Sequence, residues 1–204
     1  RTLLVVQFSL SVIVFIAGII FTQNATYQKN ISLGYDKENI LTVSVQGEQE
    51  YNLLKDRIER NPKIEGIAGA KNHIGPYTAY YKPVKIDTAV FQTDIYQVGV
   101  NYFRTVGIEI KSGRDFMEGS QIDYEFAAII DENFAANHKM TNPLDAQIWY
   151  EDKPYRVIGV VNNHLSGLKQ HDDSEHFYTL SSPANYSVMV LRASPKDRLT
   201  VRSY

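Results

Sequence analysis

The groups in this 204-residue chain that could do chemistry are five histidines and 23 carboxylate side chains. Cysteine is absent, which removes thiolate nucleophiles, disulfides and cysteine-held zinc or iron–sulfur centres. That leaves both the cytosol and an oxidising compartment open. The densest group is His164 with His171-Asp172-Asp173 and His176. Imidazole and carboxylate together can hold zinc or another divalent ion. No two of these histidines have the i, i+4 spacing of a helical metal motif, however, and GLKQHDDSEHF also reads as a solvated loop or helix cap. The expectation is a polar surface loop, with His73 and His138 as surface or rim histidines. Asp115, Glu118, Asp123 and Glu125 could pair for acid–base work, but their spacing fits a solvated acidic rim better.

Other chemistries lack their motifs. There is no Gly-x-Ser-x-Gly elbow, no Gly-x4-Gly-Lys-Ser/Thr phosphate loop and no Gly-x-Gly-x-x-Gly dinucleotide loop. Gly66 and Gly69 stand in strand-like sequence, and Gly159 inside YRVIGVV is expected to be a strand packing position. Any nucleotide hydrolysis must come from another chain. The expectation is therefore no catalytic, cofactor-binding or metal-ligating residue, no cofactor and no enzyme. Lys plus Arg total 21 against 23 Asp plus Glu, a net charge of -2, so no general positive field exists to hold a nucleic acid. Tyrosine is abundant at 14 copies, and Tyr77, Tyr80 and Tyr81 cluster beside Gly75-Pro76. Such a loop can contact protein or lipid, since tyrosine buries apolar area and keeps a polar handle. It can equally pack on its own domain.

The first element that must position any of this is apolar. After Arg1 no charge appears until Lys29, and the run from Leu3 to Phe21 is broken only by Gln7, Ser9, Ser11 and Gly18. A helix of about 20 residues crosses the bilayer hydrocarbon, and a lone strand would leave its backbone unpaired there. A cleaved signal peptide has a shorter apolar run, roughly 7–15 residues, and a small-x-small site, which does not follow cleanly here. A buried core helix of this length is uncommon. The basic-inside tendency puts Arg1 in the cytoplasm and everything after Lys29 outside. Gln7, Ser9 and Ser11 either bond to a neighbouring helix or satisfy themselves on their own.

The remainder reads as a mixed α/β domain. Ile40–Val45 alternates as a half-covered strand, with Leu41, Val43 and Val45 on one face. Residues 49–60 place Tyr51, Leu54 and Ile58 on one helical stripe, stopped by Asn61-Pro62. Ile64–Ala70 is a second strand, the polar loop Asn72–Pro83 follows, and Val84–Phe91 and Thr93–Val98 are two more. This order suggests a helix across a mixed sheet with one covered face. Tyr102, Phe103 and Val106 fit a short helix ended by Gly107. Phe126–Ile130 is a strand, and Asp131 caps a short helix through Ala136. Ile148–Tyr150 and Tyr155–Val161 flank a turn at Glu151–Pro154, and Phe177–Leu180 and Tyr186–Leu191 complete the strands. The unfinished ends suggest a piece of a longer protein.

An ordered series of segments now carries a resemblance. It comprises LLVVQFSLSVIVF (Leu3–Phe15), ISLGYDKENIL (Ile31–Leu41), RIERNPKIEGIAGA (Arg57–Ala70), VNYFRTVGIEIKSGRDF (Val100–Phe116), IIDENFA (Ile129–Ala135) and YRVIGVVNNH (Tyr155–His164). Over nearly its whole length the chain resembles a MacB-like/FtsX-like ABC transporter permease, in the variant common among Bacteroidetes. The third, fourth and last segments weigh most. Three places depart from that pattern: Asp131-Glu132 stands for Asn-Glu, Pro143-Leu144-Asp145 for Pro-Leu/Ile-Gly, and Asn162-Asn163-His164 for Asp-Phe-His.

The resemblance implies an α+β fold: one transmembrane helix (residues 1–30 with its extension) leading into a periplasmic core domain (31–204) of a mixed lobe and a smaller β-rich lobe. It implies a permease dimer in the bacterial inner membrane, served by a separate cytoplasmic ABC ATPase. A periplasmic adaptor or lipoprotein and membrane lipid are further partners. Three more helices would follow, or a second such half. ATP-driven closure would be passed to the periplasmic lobes for efflux, lipoprotein handling or control of a cell-wall enzyme. The expected role is transmission, with residues 22–40 as the coupling, Tyr27 on a helix projecting beyond the bilayer and Gly34 ending it. Gln7, Tyr27, Gly34, Tyr77, Tyr80 and Tyr81 are the candidate coupling or contact residues. Rival readings are the ectodomain of a membrane receptor such as a histidine kinase, and a membrane-anchored metal enzyme using the His164–His176 region.

Overall fold

A computed structural model describes residues 2–30, 33–75, 80–165 and 174–194. The chain divides into two units, 1–32 and 33–204. The first is the helix α1, Thr2–Asn30, of 29 residues. It is apolar enough over Thr2–Tyr27 to cross a membrane, and its described side chains are exposed. Its hydroxyls are satisfied within the helix. Ser11 donates to the Gln7 carbonyl at 2.9 Å, Thr22 to that of Gly18 at 2.9 Å and Thr26 to that of Thr22 at 3.0 Å. For Ser11 this is the self-satisfied arrangement, which lets a hydroxyl sit in an apolar helix without a partner.

The second unit runs β1 (Ile40–Ser44), α2 (Gly47–Ile58), β2 (Ile64–Ala70), β3 (Tyr81–Ile86), β4 (Ala89–Val98), α3 (Tyr102–Val106), β5 (Ile110–Gly113), α4 (Gln121–Phe126), β6 (Ala127–Asp131), α5 (Glu132–Asn137), β7 (Gln147–Tyr150), β8 (Lys153–Val161), β9 (His176–Leu180), a 3-10 turn (Pro183–Asn185) and β10 (Val188–Ala193). Among the described residues ten strands share one sheet: nine run in the order β1-β10-β2-β4-β3-β7-β8-β6-β9, β5 pairs with β8 off this path, and β9 pairs back onto β4. That last pairing closes β4-β3-β7-β8-β6-β9 into a six-stranded barrel. β6–β8 and β4–β9 are parallel and the other four contacts antiparallel. The strands β1-β10-β2 form an open wing that reaches the barrel through Ala70 opposite Val98.

Closure overturns the expectation of a sheet with one covered face. Successive barrel residues point alternately in and out. Ile95, Ala128, Ile130, Ile148 and Phe177 fill one core. Their neighbours Tyr96, Ala127, Ile129 and Tyr178 belong to a second core outside the barrel, covered by Tyr102, Phe103 and Val106 of α3. Strand β6 is buried at every position. Tyr51 of α2 lies in a third core with Tyr186, Met189 and Leu191, against which Leu54 and Ile58 pack. The helical stripe read from sequence is thus the buried face.

Several boundaries differ from the sequence reading. The β3–β4 turn falls at Asp87-Thr88, not near Gln92, because Asp87 takes a left-handed conformation with φ 51°. The β7–β8 hairpin turns on Glu151-Asp152, both at positive φ (50° and 59°). The elements β5 and α4 were not anticipated. Phe126, read as the start of a strand, ends α4. Asp145 stands where the resembled pattern has glycine and has φ 71°, so the left-handed geometry survives the substitution.

Candidate functional site

Residues 33–36 form a strap across the second unit. The Leu33 carbonyl accepts the Leu165 N–H at 2.8 Å. Gly34 has φ 77° and lies against the backbone of Asn163 and His164. The Tyr35 ring stands edge-on to His164, centroids 6.4 Å apart. Asp36 turns to the wing: its N–H donates to the Val106 carbonyl at 3.0 Å, and its carboxylate accepts Arg192 Nη2 at 2.7 Å and Asn39 Nδ2 at 2.9 Å. Three residues of the strap therefore touch the loop after β8, on the barrel, and the fourth touches α3 and β10.

Beneath the strap lies a buried polar layer. His164 is 3% exposed, and Asp131, His176 and Tyr178 are fully buried. The His164 and His176 rings stack with centroids 4.1 Å apart. His176 Nδ1 lies 2.5 Å from Asp131 Oδ2, while Asp131 Oδ1 accepts the Phe134 N–H at 2.8 Å. Asp131 is thus the α5 cap read from sequence and also the anchor of His176. His164 Nε2 is 2.8 Å from the Tyr178 hydroxyl. Burial holds His164 well below the usual imidazole range, the neighbouring His176 adds to this, and a hydrogen bond to the Asn162 backbone opposes both. A neutral His164 takes the Tyr178 proton at Nε2. Burial also pushes the Tyr178 hydroxyl well up.

The polar surface loop expected for His164 and His176 is therefore wrong at both ends. Both histidines are core residues; His171, Asp172 and Asp173 lie outside the described residues. His176 could have been found from strand phase, since it shares the side of Tyr178. No local pattern marks His164, and Asp36 and Arg192, 156 positions apart, meet only through the fold. His73 and His138 are not simple rim residues either. The Tyr102 hydroxyl accepts the Ile74 N–H at 3.0 Å and so gives its own proton to His73 Nδ1, 2.8 Å away. Burial lowers His73 to about 4. His138 packs on Phe91 and Phe134 and meets Glu175 Oε2 at 2.9 Å. The acidic rim also needs correction at Asp123, which is 1% exposed and takes two bonds from Arg114, at 2.6 and 2.8 Å. The Arg114 guanidinium bonded to it holds its carboxyl below the usual carboxylate range.

The other candidates are scattered. Gln7 and Tyr27 are exposed on α1, and Tyr77 lies outside the described residues. The Tyr80 N–H donates to Asp94 Oδ1 at 2.8 Å, and its ring packs edge-on to Tyr96. Tyr81 opens β3, 43% exposed. Of the six, the structure places Gly34 at the polar layer, while Tyr80 and Tyr81 lead into the barrel. Among the described residues, no three His, Asp or Glu gather as a metal-holding group.

Solved structures share this fold. The periplasmic region of MacB from Actinobacillus actinomycetemcomitans superposes with a TM-score of 0.60 at 19% identity, covering 83% of this chain and 81% of that one. The extracellular domain of the noncanonic ABC-type transporter YknZ from Gram-positive bacteria gives 0.53 at 16% identity, covering 76% of each. No curated protein matches the sequence. The family profile described as MacB-like periplasmic core domain, by contrast, matches residues 2–201, nearly the whole chain from α1 past β10, and the chain belongs to that family.

Proposed function

We propose that this chain is a non-catalytic part of an ABC transporter permease, in which α1 spans the bacterial inner membrane and residues 31–204 form the periplasmic domain. In this reading a separate cytoplasmic ATPase supplies the energy, a second permease chain completes the dimer, and movement of α1 reaches the domain through residues 22–40. The observation that carries it is the strap: the four residues that follow the helix junction are fixed to both the barrel and the wing, by backbone bonds at Leu33 and Asp36 and an ion pair at Asp36. A displacement entering there meets both halves of the domain at once. A coupled element must differ in free energy between the states its partner selects. The cargo class would be a drug, a peptide or a lipoprotein, with a periplasmic adaptor as a further partner.

The test is insertion of one, two or three residues near Asn30 in the full permease with its ATPase. Each residue turns a helix by about 100° and lengthens it by about 1.5 Å. The expected result is loss of export with ATP hydrolysis retained, varying with the number inserted. Unchanged export and ATPase activity across all three would defeat the coupling.

A further inference from the structure

We propose that His164 is the positioning residue of the strap: stacked on His176, its imidazole seats Leu33–Tyr35 on the barrel, and acid opens this seat while Asp36 stays on the wing. This rests on the coupling reading above. The strap meets the loop after β8 at Leu165, Asn163 and His164, and Tyr35 packs further onto the core outside the barrel. Within the described stretch 162–165, His164 is the buried residue; the others are exposed or half-buried. The flanks of this stretch are tied by the Asn162 N–H, which donates to the Glu109 carbonyl at 2.9 Å, and by Asn163 Oδ1, which accepts the Asn133 N–H at 2.7 Å; His164 supplies its one buried side chain, and the strap lies on it.

That ring is well placed only when neutral. It is faced by Tyr35 from the strap and by His176 and Tyr178 from β9. Behind these stand Asp131 on β6, bound to His176, Tyr96 on β4, tilted against His176, and Asp94, bound by the Tyr80 N–H. A proton added at Nε2 would set an N–H against the Tyr178 hydroxyl and a charge against the His176 ring. Opening the seat lets water solvate that charge. The seated form holds the neutral ring and the open form takes the proton, so acid favours opening below the free imidazole value of about 6.5. On the wing, the Asp36 N–H to Val106 bond has no titrating partner.

The readout is hydrogen exchange at two amides of the full chain in lipid nanodiscs, corrected for intrinsic exchange chemistry. The Leu165 N–H reports the barrel seat and the Asp36 N–H the wing anchor. Between about pH 7.5 and about pH 5, Leu165 should lose protection about tenfold or more while Asp36 keeps its own. His164→Phe retains a ring to stack but cannot titrate, and should abolish the pH dependence at Leu165. Gly34→Ala should unprotect Leu165 at both pH values and spare Asp36. Simultaneous opening of both amides, or a pH dependence that persists in His164→Phe, overturns the proposal. Should His164→Phe not fold, the two wild-type amides and Gly34→Ala still decide. If the insertions near Asn30 leave transport intact while these amides behave as stated, the coupling reading falls and the local seat stands. The opposite pattern removes the seat and leaves the coupling.

Discussion

A Cβ placed on Gly34 would lie 2.5 Å from the carbonyl oxygen of Asn163. The next obstacle is the His164 Cα at 2.7 Å, so the contact is with backbone, which cannot swing aside. Gly34 also sits at φ 77°, a conformation costing about 1–2 kcal/mol for a residue with a side chain. Gly119 has nearly the same φ, 71°, but open space around it. Gly34→Ala should destabilise the domain by about 2–4 kcal/mol and Gly119→Ala by about 1 kcal/mol. Denaturant unfolding of the detergent-solubilised chain measures both. Equal losses would mean that only backbone strain matters and that the strap is not tightly seated.

Gly69 and Gly99 make room for a single ring. A Cβ on either would intersect Tyr186, whose ring meets Tyr51 of α2 edge-on with centroids 4.8 Å apart. The backbone of α2 is tied to the same residue, since the Gly47 N–H donates to the Tyr186 carbonyl at 2.9 Å. Gly69→Ala should cost about 1–3 kcal/mol by overpacking. Tyr186→Ala should cost about 3 kcal/mol by leaving a cavity. Because the second change removes the obstacle to the first, the double variant should cost less than the sum by about 1–2 kcal/mol. Additive losses in unfolding experiments would contradict this packing.

Local pattern explains what was legible in advance and what was not. The α2 stripe of Tyr51, Leu54 and Ile58, the Asp131 cap and the opening apolar helix all declare themselves within a few residues, where period and capping chemistry act. The barrel does not. Its closure depends on β4 pairing in parallel with β9, which puts Ile95 opposite Phe177 across a long sequence separation. No short-range signal fixes that register. The polar layer was hidden for the same reason. His164 and His176 look like solvated residues beside a string of carboxylates, and only the stack of one strand end on one loop takes them from water. The turn at Asp87 was not legible because it adopts positive φ without glycine, whereas the turn read at Glu151–Pro154 is there but shorter, confined to Glu151-Asp152. Such positions are set by the strands they join rather than by the turn residues.

His73 gives the second unit a definite response to acid. Its imidazole is lowered to about 4 by burial, and its Nδ1 takes the proton of the Tyr102 hydroxyl. The unfolded chain therefore binds a proton there between about pH 6.5 and pH 4, while the folded chain does not. Stability is complete above 6.5 and falls as pH drops through this window, by about 3 kcal/mol at most. His73→Phe should flatten that part of the profile in urea unfolding at stepped pH. Since the variant leaves Tyr102 without an acceptor, its stability at neutral pH should drop by about 1 kcal/mol. The flattening of the slope, which a packing defect alone would not produce, is the diagnostic. An unaltered slope would show that His73 titrates alike in both states.

The assignment of α1 to lipid makes a position-dependent prediction. Ile13 is near the middle of the candidate span Thr2–Tyr27, and Tyr27 is its last residue. A lysine at the centre of a membrane helix costs about 2.5–3.5 kcal/mol for insertion. At the end, its long stem can carry the charge out to the headgroups at little cost. Ile13→Lys should therefore shift much of the chain from the alkali-resistant membrane fraction into the wash, while Tyr27→Lys remains with the wild type. A helix acting only as a cleaved leader predicts otherwise: the wild-type chain itself would appear in the wash, shortened at its N-terminus. Mass measurement of the extracted protein separates the two, because a retained helix keeps Leu3–Phe21 attached to the domain in the membrane pellet.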